Sequence, residues 1–341
     1  MTVLEALPSV LGAAAVLPAL IYLMSITLLD NRPEPVRAIV GCFFLASLFS
    51  YLLQLSPHNV MLWSHYVADF VFPVGEGSEW ADRGLVWTLA QSVVDIAIPE
   101  ESLKLLILVV FARRYLAFNH PMEGVVYGAA VGLGLAAHEN LILAAYLPGE
   151  WLDHSVIRSI LTVPAHGALG IIAGVYVARA RFGGALGAGR DTSFRLRSYL
   201  AAWLVPIALH ALYNFPLLLV RNLVGLDGAY VHLLQTAGFI VGTMVILAGA
   251  RLVYRVSLAQ VTSSGRFRSG SILGYRSWRL DVVGGFASLF GGLLVIAGLK
   301  ALLQGDALDL EQAFAVVSGG GLIALAASLH YYSTWSVPSA R

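Results

Sequence analysis

Apolar residues run along this chain in long, nearly unbroken stretches, and polar residues gather in short clusters between them. Nine stretches are long enough to be read as helices that cross a bilayer, since about 20 mainly apolar residues span the hydrocarbon. They fall roughly at 7–29, 36–55, 84–112, 123–147, 155–179, 199–221, 229–252, 281–303 and 310–333, each bounded by charge, Pro or Gly. The alternating ten-residue segments of a transmembrane β-barrel are not seen. The pattern predicts an all-α, polytopic membrane protein with about nine transmembrane helices.

Basic residues fix an orientation for these spans. The segments after spans 1, 3, 5 and 7 carry Arg32 and Arg37, then Arg113 and Arg114, then Arg179, Arg181, Arg190, Arg195 and Arg197, then six arginines between Arg251 and Arg279. The opposite side holds Arg83, Arg158, Arg221 and Lys300. Cytoplasmic loops carry the excess of Lys and Arg, so the N-terminus is expected outside and the C-terminus in the cytoplasm. No basic leader region precedes span 1 and no A-x-A site follows it, so a cleaved signal peptide is not expected. The division that follows is 1–83 (two spans and an outer loop), 84–221 (four spans) and 222–341 (three spans with a basic cytoplasmic loop).

Composition narrows the class. Of 341 residues, 58% are hydrophobic and only 12% charged, about half the charge of a soluble domain. Mean hydropathy is +0.77. The net charge of +1 implies no nucleic-acid partner. A single cysteine, Cys42, excludes a disulfide framework and a CxxC zinc module. The lipid bilayer is the implied environment.

Ionisable groups inside a span are costly, by about 2.5–3.5 kcal/mol each on insertion scales. Spans 1, 2, 8 and 9 hold almost none at mid-depth; spans 3 to 6 hold nearly all. Span 3 contains Gln91, Asp95, Glu100, Glu101 and Lys104; span 4 His138, Glu139 and Asn140; span 5 His166; span 6 His210 and Asn214. At 1.5 Å per residue, Glu100, Glu139, His166 and His210 all lie within about 8 Å of the midplane. Lys104 stands at i+4 from Glu100 and i+3 from Glu101, within reach of either. Adjacent Glu100 and Glu101 point about 100° apart, so one is expected to react and the other to support it. Asp95 faces away from Glu100 and reads as a helper, and His138 as peripheral. Pro99, Pro164 and Pro206 each precede a polar cluster and would open the helices there. Gly124, Gly128, Gly132 and Ala136 form a small-residue stripe, and Gly170 and Gly174 a GxxxG, which read as close helix packing.

This set suits water activation. Glu100 or Glu101 would act as general base, His210 with Asn214 would hold an oxyanion, and His166 would protonate a leaving amine. A second version places zinc on Glu139, His166 and His210 with a water in the fourth position. No HExxH, GxSxG or phosphate-binding loop is present. A proton-coupled membrane transporter is the competing class, because buried Glu, Lys and His also form relays. Against it stands the concentration of polar groups in four adjacent spans.

The order EESLK (100–104), GLGLAAHEN (132–140), PAHGALG around His166, and HALYN (210–214) resembles the PrsW family of intramembrane proteases, relatives of the CAAX-protease/ABI superfamily. The resemblance covers roughly 95–216, and Leu135 stands where that pattern has Phe. It implies a multi-pass endopeptidase of the bacterial plasma membrane. Its substrate would be a membrane-anchored protein, such as an anti-sigma-factor-like regulator. It also implies that Glu100 and Glu101 are the catalytic pair, Lys104 the accompanying base, and Glu139 with Asn140, His166, and His210 with Asn214 the remaining positions. Whether zinc takes part is left open by the family and by the residues alike.

Overall fold

A computed structural model describes residues 3–30, 34–54, 80–112, 118–146, 157–183, 192–223, 226 and 228–263. The chain divides into two compact units, Met1–Leu258 and Ala259–Arg341, and the first carries everything discussed below. It is built of helices: α1 (Val3–Leu28), α2 (Val36–Gln54), α3 (Trp80–Ala90), α4 (Ile98–Leu106), α5 (Pro121–Tyr146), α6 (Val163–Phe182), α7 (Thr192–Asn222) and α8 (Gly228–Ser263). Three stretches are wound more widely, as π-helix: Gln91–Ala97 joins α3 to α4, Ile107–Ala112 extends α4, and Arg158–Thr162 leads into α6.

Two of these wide segments have an evident cause. Pro99 and Pro164 stand at the start of α4 and α6. A proline ring clashes with the carbonyl four residues back, here those of Asp95 and Ile160, and lacks the N–H that would bond it. Widening the preceding turn relieves both problems. Pro206 and Pro216 leave α7 helical.

Five helices among the described residues are long and apolar enough to cross a membrane: Val36–Leu53, Pro121–Ala145, Arg158–Phe182, Thr192–Asn222 and Gly228–Ser257. The first expected span is helical, with a shorter apolar stretch at Ala15–Leu28. The third is helical from Trp80 to Ala112 but broken by π winding and rich in charge. The two expected at 281–303 and 310–333 lie outside the described residues.

α5 is the central helix. Apart from Glu123 it is apolar or small all round from Met122 to Ala137, and every residue there is buried, as such a stretch must be. It packs on α6 most extensively, then on α2 and α1. The α5–α6 contact is backbone on backbone. A Cβ on Gly124, Gly128 or Gly132 would collide with the carbonyl oxygen of Gly174, Gly170 or His166 respectively. α2, α7 and α8 instead show large apolar side chains outward, among them Phe44, Leu204 and Met244, the face a bilayer would solvate.

Contacts at one end gather residues flanking the α1–α2 connection, the start of α5 and the last turns of α6 and α8. The Tyr127 hydroxyl donates to Glu34 Oε2 at 2.6 Å, the Asn119 N–H donates to the Glu123 carboxylate, and the Ser257 hydroxyl donates to the Leu29 carbonyl at 3.3 Å. Phe118 stacks on Tyr127 and Phe182 beneath Arg181. α6 stops at Gly183, whose φ of 82° favours glycine and whose N–H bonds the Arg179 carbonyl.

Candidate active site

The two glutamates of α4 are brought to the histidines by a ladder of polar contacts with α7. Ser92 Oγ donates to the Ala211 carbonyl at 2.8 Å, and Trp203 Nε1–H to Ser102 Oγ at 2.8 Å. Asn222 donates to Gln91 and Thr88. These bonds satisfy groups that would otherwise be stranded in an apolar chain, and they set the register of the Glu-bearing helix against His210.

Glu101 is the hub. Its Oε1 accepts from Lys104 Nζ at 2.7 Å and lies 2.7 Å from His210 Nδ1. Glu101, Lys104, His166 and His210 are all buried. Lys104 therefore takes Glu101 of the two carboxylates within its reach. Its Nζ also lies 3.2 Å from His166 Nδ1.

These partners assign the two imidazoles. A carboxylate paired with an ammonium only accepts, so His210 donates from Nδ1, and a neutral ring then keeps its lone pair on Nε2. An ammonium only donates, so His166 accepts on Nδ1 and carries its proton on Nε2. That Nε2 lies 3.5 Å from Glu139 Oε2. The rings meet edge to face with centroids 5.1 Å apart. Two histidines in contact thus hold opposite tautomers, one offering a base and the other a proton.

Glu100 closes the set. Its Oε2 lies 3.8 Å from His166 Nδ1 and 3.9 Å from His210 Nε2, its carboxyl group faces that of Glu139, and its Oε2 has no hydrogen-bond partner. Glu101 Oε2 has none either. Unmet acceptors buried in an apolar protein are costly, so the site is shaped for something that brings positive charge or protons: a water, a metal ion or a substrate amide.

The expected residues fall as follows. Glu100, Glu101, Lys104, Glu139, His166 and His210 come together. Asn140 sits beside Glu139 and donates to the Ala15 carbonyl of α1 at 3.1 Å. Asn214 is half-buried one turn beyond His210, and Asp95 is half-buried on the π-helical stretch. His138 packs edge to face on Tyr51. Arg158 is the residue that the sequence pattern did not single out. Its Nη2 donates to Glu139 Oε2 at 2.9 Å and its Nε to Asn140 Oδ1 at 2.6 Å.

The metal question can be put to the donors themselves. Glu100, His166 and His210 each offer one ligand atom, all within 4.8 Å of one another. Glu139, expected as the carboxylate ligand, is instead engaged by Arg158, and Glu100 is the carboxylate that converges with both imidazoles. The orphaned Glu100 oxygen and the bare His210 nitrogen, whose other nitrogen is held by a carboxylate, are what a zinc site requires. His166 Nδ1 has one lone pair, so it bonds Lys104 or a metal but not both. With that exchange the donor set fits a zinc-like ion.

Buried carboxylates and imidazoles among membrane-crossing helices are the equipment of an intramembrane hydrolase. Comparison with known proteins identifies which. The model of the PrsW family of intramembrane metalloproteases matches residues 34–249. The chain is 29% identical over 211 residues to protease PrsW of Bacillus subtilis, covering 62% of this chain and 84% of that one. It is 31% identical over 200 residues to protease PrsW of Geobacillus kaustophilus, covering 56% and 80%. It is 25% identical over 203 residues to that of Oceanobacillus iheyensis, covering 60% and 80%. No solved structure matches it. The chain belongs to the PrsW family of intramembrane metalloproteases; it is a multi-pass membrane protease, and its relatives are bacterial.

Proposed function

We propose that this protease cleaves membrane-anchored proteins in the bacterial plasma membrane, with a water molecule held between Glu100 Oε2 and His210 Nε2 as its nucleophile. The observation that carries the reading is the buried Glu100 Oε2, which has no hydrogen-bond partner and lies 3.9 Å from His210 Nε2. A water can donate to both at once.

Glu100 is the base of the two adjacent glutamates, because Glu101 already accepts from Lys104 and lies beside His210. The water gives a proton to Glu100 Oε2 as its oxygen attacks the scissile carbonyl. Glu139 faces Glu100 and keeps its carboxyl aimed at the water. Glu100 Oε2 then passes that proton to His210 Nε2, 3.9 Å away, which restores the carboxylate, and Glu101 stabilises the resulting imidazolium across Nδ1. The same Nε2–H then stabilises the oxyanion, with Asn214 one helical turn further on, and supplies the leaving amine with its proton. His166, fixed by Lys104, keeps its Nε2–H on Glu139. A zinc ion, if bound, would be held by Glu100, His166 and His210 and would supply Lewis acidity to the carbonyl and an acidic water.

The test is a survey of new N-termini in membranes of cells expressing the wild-type chain or E100Q. Cuts in single-span proteins that appear only with the wild type are expected. Identical cuts with both chains would remove Glu100 from the reaction.

A further inference from the structure

Arg158 lies on the side where few basic residues are expected, and the geometry gives it a task. It opens the π-helical turn that Pro164 forces on the start of α6. Its guanidinium reaches two adjacent side chains of α5, Glu139 Oε2 at 2.9 Å through Nη2 and Asn140 Oδ1 at 2.6 Å through Nε. Adjacent helical residues point about 100° apart, so bridging them takes a planar fork with several donors. A lysine has only one nitrogen to offer. Asn140 is itself fixed, since its amide donates to the Ala15 carbonyl of α1. The guanidinium is therefore anchored on a buried, bonded asparagine and aims its other arm at the carboxylate.

Glu139 interacts electrostatically with His138 and Tyr213, and three further groups face it. Arg158 holds it from the π-helical turn, His166 Nε2 stands 3.5 Å away on α6, and the Glu100 carboxyl faces it from α4. The other cation of the site, Lys104, is tied to Glu101 and His166. Arg158 is what keeps Glu139 drawn toward its own end of the bundle, at a fixed distance from His166 and Glu100. We propose that Arg158 is a positioning residue for proteolysis, acting through Glu139. This inference rests on the reading of the site given under Proposed function.

A single-span reporter that the wild-type protein cleaves in proteoliposomes provides the assay, run with R158Q, R158K, E139Q and R158Q/E139Q, and with E101Q as a check on the site itself. Removing a group that orients a reacting one costs about 10–100-fold. R158Q is expected to lower kcat by that factor with KM within about twofold, and R158K to recover part of the loss, since it keeps the charge but not the fork. The decisive comparison is the double variant. If Arg158 works only through Glu139, R158Q/E139Q is no slower than E139Q. Losses that multiply, or R158Q and R158K as fast as wild type, would overturn the proposal. If R158Q does not fold, the same cycle is run with R158K and R158K/E139Q, with thermal unfolding in detergent as the control for folding. E101Q separates the two claims: full cleavage by E101Q means that the site reading is wrong, whereas an inactive E101Q beside an undisturbed R158Q removes Arg158 alone.

Discussion

The seam between α5 and α6 and the seam that α8 makes with its neighbours are both lined by glycine, and they differ in what the glycines meet. On α5, Gly124, Gly128 and Gly132 face backbone carbonyls of α6. On α8, Gly249 also lies against α6, at the Ala168 Cβ and backbone, but Gly238 and Gly242 face side chains, those of Leu217 and of Leu161 and Tyr213. A side chain turns aside at small cost; a backbone in a packed helix does not. Glycine therefore marks a fixed contact at Gly124, Gly128 and Gly132 and an adjustable one at Gly238 and Gly242. The fixed contact is the one that carries the site, because Gly132 touches the carbonyl of His166 itself.

Substitutions can test that contrast, beginning with the largest effect. E101Q is expected to reduce cleavage by roughly a thousandfold, since Glu101 serves Lys104 and His210 together. It also leaves a buried ammonium short of charge, so the melting temperature falls. Adding K104M should restore the melting temperature and leave cleavage absent, which reporter assays and thermal unfolding would show separately. G132A comes next. The added methyl drives α6 from α5, costing about 1–3 kcal/mol or more, and moves His166, so reporter cleavage should drop at least tenfold while purified protein melts earlier. P164A is smaller: with the N–H restored the wide turn at Arg158–Thr162 can close, shifting Arg158, and kcat should fall severalfold with KM little changed. G238A is the smallest, with cleavage within twofold and a nearly unchanged melting temperature, because Leu217 yields. Equal damage from G238A and G132A would erase the distinction between the two seams.

Much of this was legible before any coordinates. Depth along straight helices puts Glu100, Glu139, His166 and His210 at one level, and the structure brings those side chains into contact. What was hidden has identifiable causes. Helical periodicity offers Lys104 either glutamate, and only packing against α7 decides that Glu101 receives it. Angles reckoned at 3.6 residues per turn fail across a π-helical stretch, so the facing of Asp95 relative to Glu100 was not readable. Arg158 looked like a span-end arginine because charge counting treats basic residues as topology markers. The signal that would have found it is its place just ahead of a Pro–x–His sequence at the start of an otherwise apolar span.

The tight seam has one more consequence, for the energy of the cell. A membrane that stores a proton gradient cannot tolerate a chain of titratable groups leading from face to face, and this protein buries carboxylates, imidazoles and an ammonium side by side. Along α5 and α6, between His166 and the Tyr127–Glu34 bond at the other end, the described residues offer buried apolar side chains and backbone pressed on backbone, a poor path for a proton. The three glycines that seat His166 thus also close this seam, and the same close contact that fixes the site leaves no room for a polar step along it.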